Sequence, residues 1–337
     1  MSTQPPPRPG QARYEYHEAP GEYTRNVGGS GSNENEKIAG SYAGLALAHT
    51  ALAMPLLFQP REAATFLLGG TALPTNVEQD RLMGLLAAGL LSGATTAWSL
   101  KGAAEERHLS TAASERLQLG LMALGAASLG VHFAHVRELT RNGFAVGAAA
   151  AVLTVAVPAS HALGSKRARR RLGSHFKRLA DGIGRLFDFQ GRFKLSSVLY
   201  AGDGGGFAGL LTPAFFVAGA SYLLAPQRTL GNLLGYVTKG NDSIFLWRQA
   251  GSLLLTLLPA VTYTLKEKAE DNRLAEQSSR TLNSGILLTS IGNLAVLGPM
   301  ANEGSGGRYL PLLVGTWAAA FSASVIGLST SNADRSL

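Results

Sequence analysis

The stretch SKRARRRLGSHFKRLADGIGRLFDFQGRFK, from Ser165 to Lys194, holds ten Lys and Arg against two acids, Asp181 and Asp188. The whole chain of 337 residues carries 30 basic and 22 acidic residues, a formal +8. That stretch supplies the entire excess and leaves 20 against 20 elsewhere. Long apolar sequence runs on both sides of it. Apolar residues make up 46% of the chain and charged residues 15%, with 41 Gly. Soluble domains carry nearer a quarter charged residues, so the composition points to a membrane protein. A nucleic-acid reader spreads basic residues over a folded face; one local block makes nucleic acid an unexpected partner. The absence of Cys excludes disulfides, thiolate chemistry and cysteine-bound metal.

Crossing the hydrocarbon core takes about 20 mainly apolar residues. Charge-poor windows of that size lie near Ala39–Phe58, Leu82–Leu100, Leu117–Val136, Gly143–Leu163, Gly204–Ala225, Gln249–Leu265, Thr281–Met300 and Tyr309–Ser329. The expected fold is all-α and polytopic, with about eight transmembrane helices. Residues 1–37 are rich in Pro, Gly and polar side chains and read as a disordered tail. They lack the layout of a cleavable signal, so if the protein enters the secretory system the first hydrophobic segment is expected to serve as an uncleaved anchor.

The windows fall into two matching series. Residues 56–70, LLFQPREAATFLLGG, correspond to 222–236, YLLAPQRTLGNLLGY. DRLMGLLAAGLLSG, 80–93, corresponds to WRQAGSLLLTLLPA, 247–260, and AEERHLSTAASERLQLG, 104–120, to AEDNRLAEQSSRTLNSG, 269–285. Pro60 thereby matches Pro226, Arg81 matches Arg248 and Gly84 matches Gly251, and Arg116 matches Arg280 with a shift of one residue. Four helices per series is an even number, so both copies enter from one side, as parallel repeats. The expected organisation is a tail at 1–37, a four-helix repeat at 38–164, a basic linker at 165–196, a second repeat at 197–330, and a tail at 331–337.

Lys and Arg near membrane segments favour the cytoplasmic side. The face holding the linker collects 22 of the 30 basic residues. Both termini are therefore expected on the cytoplasmic, stromal or matrix side. Within the linker, Leu172, Phe176, Leu179, Ile183 and Leu186 recur at helical spacing beside Lys177, Arg178 and Arg185. With Lys166, Arg167, Arg169, Arg170 and Arg171, these bases are the candidate binders of anionic lipid headgroups. The short stretches after Pro60 and Pro226 are too brief to span and are expected to lie flat at the opposite surface.

Few side chains suggest chemistry. Gly204, Gly206 and Gly209 spell G-x-G-x-x-G, yet no strand precedes them, so they open a hydrophobic helix and not a nucleotide site. His132, His135 and Glu138 share the spacing of one helical face, which a metal would need; paired interfacial histidines read the same way, and no metal site is assigned. His49, His132 and His135 are the candidates for a pigment or haem, with a hydrogen-bonded structural histidine as the alternative. No Asp or Glu lies deep in a window, as a proton-coupled transporter generally needs. Gly89–Gly93 and Gly143–Gly147 are small-xxx-small pairs assigned to helix packing.

Pro60, Arg81, Leu82 and Gly84, and again Pro226, Arg248 and Gly251, give each series an apolar helix ending at Pro, then Arg and a Gly-bearing helix. This pattern resembles the four-helix membrane domain of the tumour-protein-p53-inducible protein 11 family, here in two tandem copies. The resemblance implies an integral membrane protein and brings no catalytic residues. The expected role is non-enzymatic: a scaffold or accessory subunit of a membrane complex, contacting lipid and other membrane-protein subunits, with no cofactor. The alternatives are a passive channel or transporter for a neutral solute along the interface of the repeats, and a pigment- or haem-binding subunit.

Overall fold

The computed structural model describes residues 31–69, 77–162, 205–235, 241–271 and 273–333. The basic linker, including Lys166, Arg167, Arg169, Arg170, Arg171, Lys177, Arg178 and Arg185, lies outside the described residues. Every regular element among those described is helical: α1 Gly31–Phe58, α2 Pro60–Leu68, α3 Val77–Glu105, α4 Ala112–Ala134, α5 Arg141–Ala162, α6 Gly205–Leu224, α7 Pro226–Leu234, α8 Asn241–Glu270, α9 Gln277–Asn302 and α10 Leu310–Ala333. Seven of these are long and apolar enough to cross a membrane. Leu210–Leu224 and Pro226–Leu234, apolar enough together but bent by 118° at the break between them, bring the number to eight if the pair is one span. The protein is an all-α, multi-pass membrane protein. α1 starts at Gly31 and so takes in residues 31–37, which composition assigns to the tail. Glu34 in its first turn suits the positive end of the helix dipole.

The order long, short, long, long, long occurs twice. Proline sets both short helices, because its fixed φ suits the first helical position while its missing N–H ends the helix before it. Gln59 and Ala225, just before the prolines, share one backbone shape, at φ −136°, ψ 55° and φ −132°, ψ 54°. Both short helices stop at a left-handed glycine, Gly69 at φ 64° and Gly235 at φ 73°. A side chain there would be strained. Past each, a later loop returns to the short helix: Thr140 N donates to Leu67 O at 2.9 Å, and Gly307 N donates to Leu233 O at 3.1 Å.

α1 pairs with α3, α6 with α8, α4 with α5, and α9 with α10. Between these pairs the chain crosses over. α3 packs on α9 more extensively than on α4, and α4 packs on α8 more extensively than on α3. Small residues allow it, since apolar helices in lipid associate through close backbone approach and polar contacts rather than water exclusion. On α9, Gly285 faces Thr95 and Gly292 faces Ala88, and Thr289 Oγ1 donates to Ala88 O at 3.1 Å. On α4, Gly120 faces Ala260 of α8. α3 and α8 are the most buried long helices, and a single apolar core runs through both series. Outward-facing Leu47, Phe133, Leu224 and Leu312 form the apolar surface that a bilayer covers.

Ion pairs bind the ends of these crossings. Arg116 of α4 meets Glu267 of α8 at 2.8 Å, donates to Thr264 Oγ1 at 3.2 Å, and lies 4.5 Å over the Tyr263 ring. Arg81 donates to Glu303 at 3.4 Å, and Arg248 to His135 Nε2 at 2.9 Å. The two matched arginines at the starts of α3 and α8 thus each reach the segment that follows the other series' third long helix.

Candidate functional site

A cavity of about 370 Å³ lies among α1, α2, α3, α4, α5 and α8. Most of its wall is apolar, including Leu56, Leu86, Leu90, Leu124, Phe245 and Leu253, with Gly89, Gly125 and Gly147 thinning it. Exposed Gln59, Glu62 and Phe66 line it where α1 breaks into α2. His49, Thr154, Ser128, His132 and Gln249 are its inner polar groups. This volume falls in the range of small-molecule sites, which are mainly apolar with a few placed polar groups.

The hydrogen bonds fix how those groups present themselves. Thr154 Oγ1 donates to Ala150 O at 2.7 Å, so His49 Nε2, 2.9 Å away, donates to it. His49 Nδ1 is then an acceptor, sealed without a partner against Gly93. A Cβ on Gly93 would stand 2.4 Å from it. His132 Nδ1 lies 2.8 Å from Ser128 O. Gln249 completes the cluster: its Oε1 accepts from Ser128 Oγ at 2.8 Å, and its Nε2 lies 3.3 Å from Ser128 O and 2.9 Å from His132 Nδ1. His132 Nε2 rests beside Gly147, where a Cβ would stand 2.0 Å from it. His132 is one of the residues that line the cavity.

Of the three histidines singled out in the sequence, His49 and His132 line one cavity and His135 stands apart from its lining. His135 is the C-cap of α4, at φ −121°, ψ 27°, so helical spacing lapses between it and Glu138. Its Nδ1 is 3.9 Å from Glu138 and its Nε2 is engaged by Arg248. Burial, and then the Arg248 charge, push its pKa down against an opposing pull from Glu138. Both His132 and His135 pack edge-on to Phe245, at 5.3 and 5.9 Å between ring centroids. Among the described residues no three His, Asp or Glu side chains gather as a metal would require.

Gln249, Ser128 and Thr154 escape a reading by motif, because nothing in the sequence brings residue 249 to residue 128. The glycine pairs were the available signal. Gly89 gives space to Leu253, Gly93 to His49, Gly143 to the backbone of Leu67 and Gly147 to His132. Thus two of the four glycines seat the cavity's histidines. Compared with known protein families and with curated protein sequences, the chain matches none.

Proposed function

We propose that this membrane protein binds a small hydrophobic molecule in the cavity between α1, α2, α3, α4, α5 and α8, and performs no catalysis on it. The observation that carries the reading is the cavity itself, about 370 Å³ of mainly apolar space with its polar groups gathered around His132. A scaffold or accessory subunit has no need of interior space, so binding takes precedence over that role. A pigment or haem on His132 Nε2 is disfavoured, because the α5 backbone lies against that nitrogen at Gly147 and blocks a broad macrocycle.

The same reading takes the two helical series as a duplication, in tandem copies at 38–164 and 197–330, and the shared caps and loop bonds support it. On that alignment His49 corresponds to Phe215, His132 to Leu297 and Ala150 to Trp317, at offsets of 165 to 167 residues. Phe215 and Trp317 pack with ring centroids 5.3 Å apart. The second copy therefore fills with aromatic rings the place that the first keeps open. Its likeness to the p53-inducible protein 11 domain belongs to the same proposal, as do cytoplasmic-side termini and a linker that holds anionic lipid.

The deciding experiment extracts lipids from wild type and from Ala150→Trp, each purified from native membrane, and compares them by mass spectrometry. A species retained near one per chain by wild type and missing from the variant is expected. Identical extracts would defeat the binding function.

A further inference from the structure

We infer that the cavity is loaded sideways from the bilayer, and that its occupant is one hydrocarbon chain of a membrane lipid whose head stays outside. This rests on the binding function proposed above and adds the ligand's class and its route. The route is a slot between two pins. At the inner end the His49–Thr154 hydrogen bond, 2.9 Å long, ties α1 to α5. At the outer end Thr140 N, just before α5, donates to Leu67 O of α2 at 2.9 Å, and Gly143 lies against the backbone of Leu67. Because the chain breaks at Pro60, α1 stops at Phe58 and no further turn of it covers the gap. Between the pins the lining residues reach the surface: Pro55, Gln59, Glu62 and Phe66 on the α1–α2 lip and Val146 on the α5 lip are all exposed.

The slot opens on lipid. Pro55 and Val146 belong to helices long and apolar enough to cross a membrane, and those two helices turn Met54, Phe58, Val152 and Leu153 outward. Gln59 and Glu62 follow at the end of the crossing, so the lip passes from apolar to polar in the order that a lipid does. His49 stands nine residues before the end of α1, about 14 Å along the helix, and about 370 Å³ over that length leaves a section of about 25 Å². That is the girth of one hydrocarbon chain and less than a flat ring system needs. Left empty, the space would forfeit dispersion contacts along its wall, and a neighbouring chain restores them. No Lys or Arg lines the cavity, so a phosphate drawn inside would be desolvated without a partner. The head and the second chain therefore stay in the bilayer.

The test uses the full chain in phosphatidylcholine nanodiscs, part of the lipid carrying a diazirine midway along one acyl chain. Adducts formed on illumination are mapped by peptide mass spectrometry. Expected adducts fall on Phe245 and Leu253 of α8, both buried and both lining the cavity, as well as on outward-facing Leu47 and Leu312. Val146→Trp, which enlarges the α5 lip, should lose the α8 adducts and keep the outward ones. Wild type alone gives a second check that does not depend on that variant's folding: a diazirine on the lipid head should label Gln59 and Glu62 and leave α8 unmarked. Outward adducts without any on α8, with a species still retained by wild type and missing from Ala150→Trp, overturn the lipid chain and leave the binding function standing. Adducts on α8 that persist in Val146→Trp, or that come from the head-borne diazirine, overturn the route. Absence of both the α8 adducts and the retained species overturns both readings.

Discussion

Gly147→Ala tests the cavity's construction through one added methyl. That carbon would stand 2.0 Å from His132 Nε2, and ordinary contact begins at 3.4 Å, so the ring edge must retreat by about 1.4 Å. The ring is not free to do so, because its Nδ1 is held 2.8 Å from Ser128 O and 2.9 Å from Gln249. A swing of that size breaks these bonds and strands buried polar atoms, which costs about 1–3 kcal/mol. Replacing Gly by Ala within a helix returns about 1 kcal/mol. The net expectation is a loss of about 0–2 kcal/mol. In a His132→Ala background the obstacle is gone and the same methyl should stabilise by about 1 kcal/mol. The coupling between the two positions is thus about 1–3 kcal/mol. Unfolding in mixed dodecyl maltoside and SDS micelles, followed by fluorescence of the three Trp residues, measures it. Gly315→Ala, with nothing within 4 Å of its added carbon, is the control. Additive effects of Gly147→Ala and His132→Ala would refute the placement of His132 against α5.

Stability should also depend on pH in two windows. Burial and Arg248 depress the His135 pKa below 6.5, so the unfolded chain binds the proton more readily and stability falls as pH drops below that value. His135→Gln should flatten this window in an unfolding titration. For Glu276, burial pushes the pKa up, but the contacts with Lys268 and Arg273 outweigh it and hold the carboxyl below 4.5. Its stabilising contribution is present above that pH and disappears as the acid is titrated, an effect that Glu276→Gln should remove. Arg116→Ala breaks a contact between the two series, with the Arg side chain 14% exposed and Glu267 38%. About 1–2 kcal/mol of stability should be lost after discounting for that exposure, and Arg116→Lys should recover only part of it. Asn283 has a buried Nδ2 without a partner beside a cavity of about 20 Å³. Its matched residue, Gln118, is one methylene longer and donates to Leu109 O at 3.1 Å. Asn283→Gln should therefore raise the free energy of unfolding by about 1 kcal/mol; a lower value would show that the longer amide finds no acceptor.

What the sequence determined by itself is what depends on composition and local spacing. Eight apolar windows, a proline after the first window of each series and a glycine past each short helix follow from the length of a bilayer crossing and from backbone sterics. Those residues act on their own neighbours, so a linear reading finds them. The pairing of helices is different in kind. That α4 leaves α3 for α8, and α9 leaves α8 for α3, depends on Gly120 meeting Ala260 and Gly285 meeting Thr95, contacts between residues 140 or more apart in the chain. In lipid, where one apolar face is as good as another, such fine complementarity decides. The cavity belongs to that second class. His49 and His132 were visible as histidines, but their shared pocket and the role of Gln249 exist only once α1, α4, α5 and α8 are brought together. Only the assembled helices decide which polar groups meet one another and which line open space.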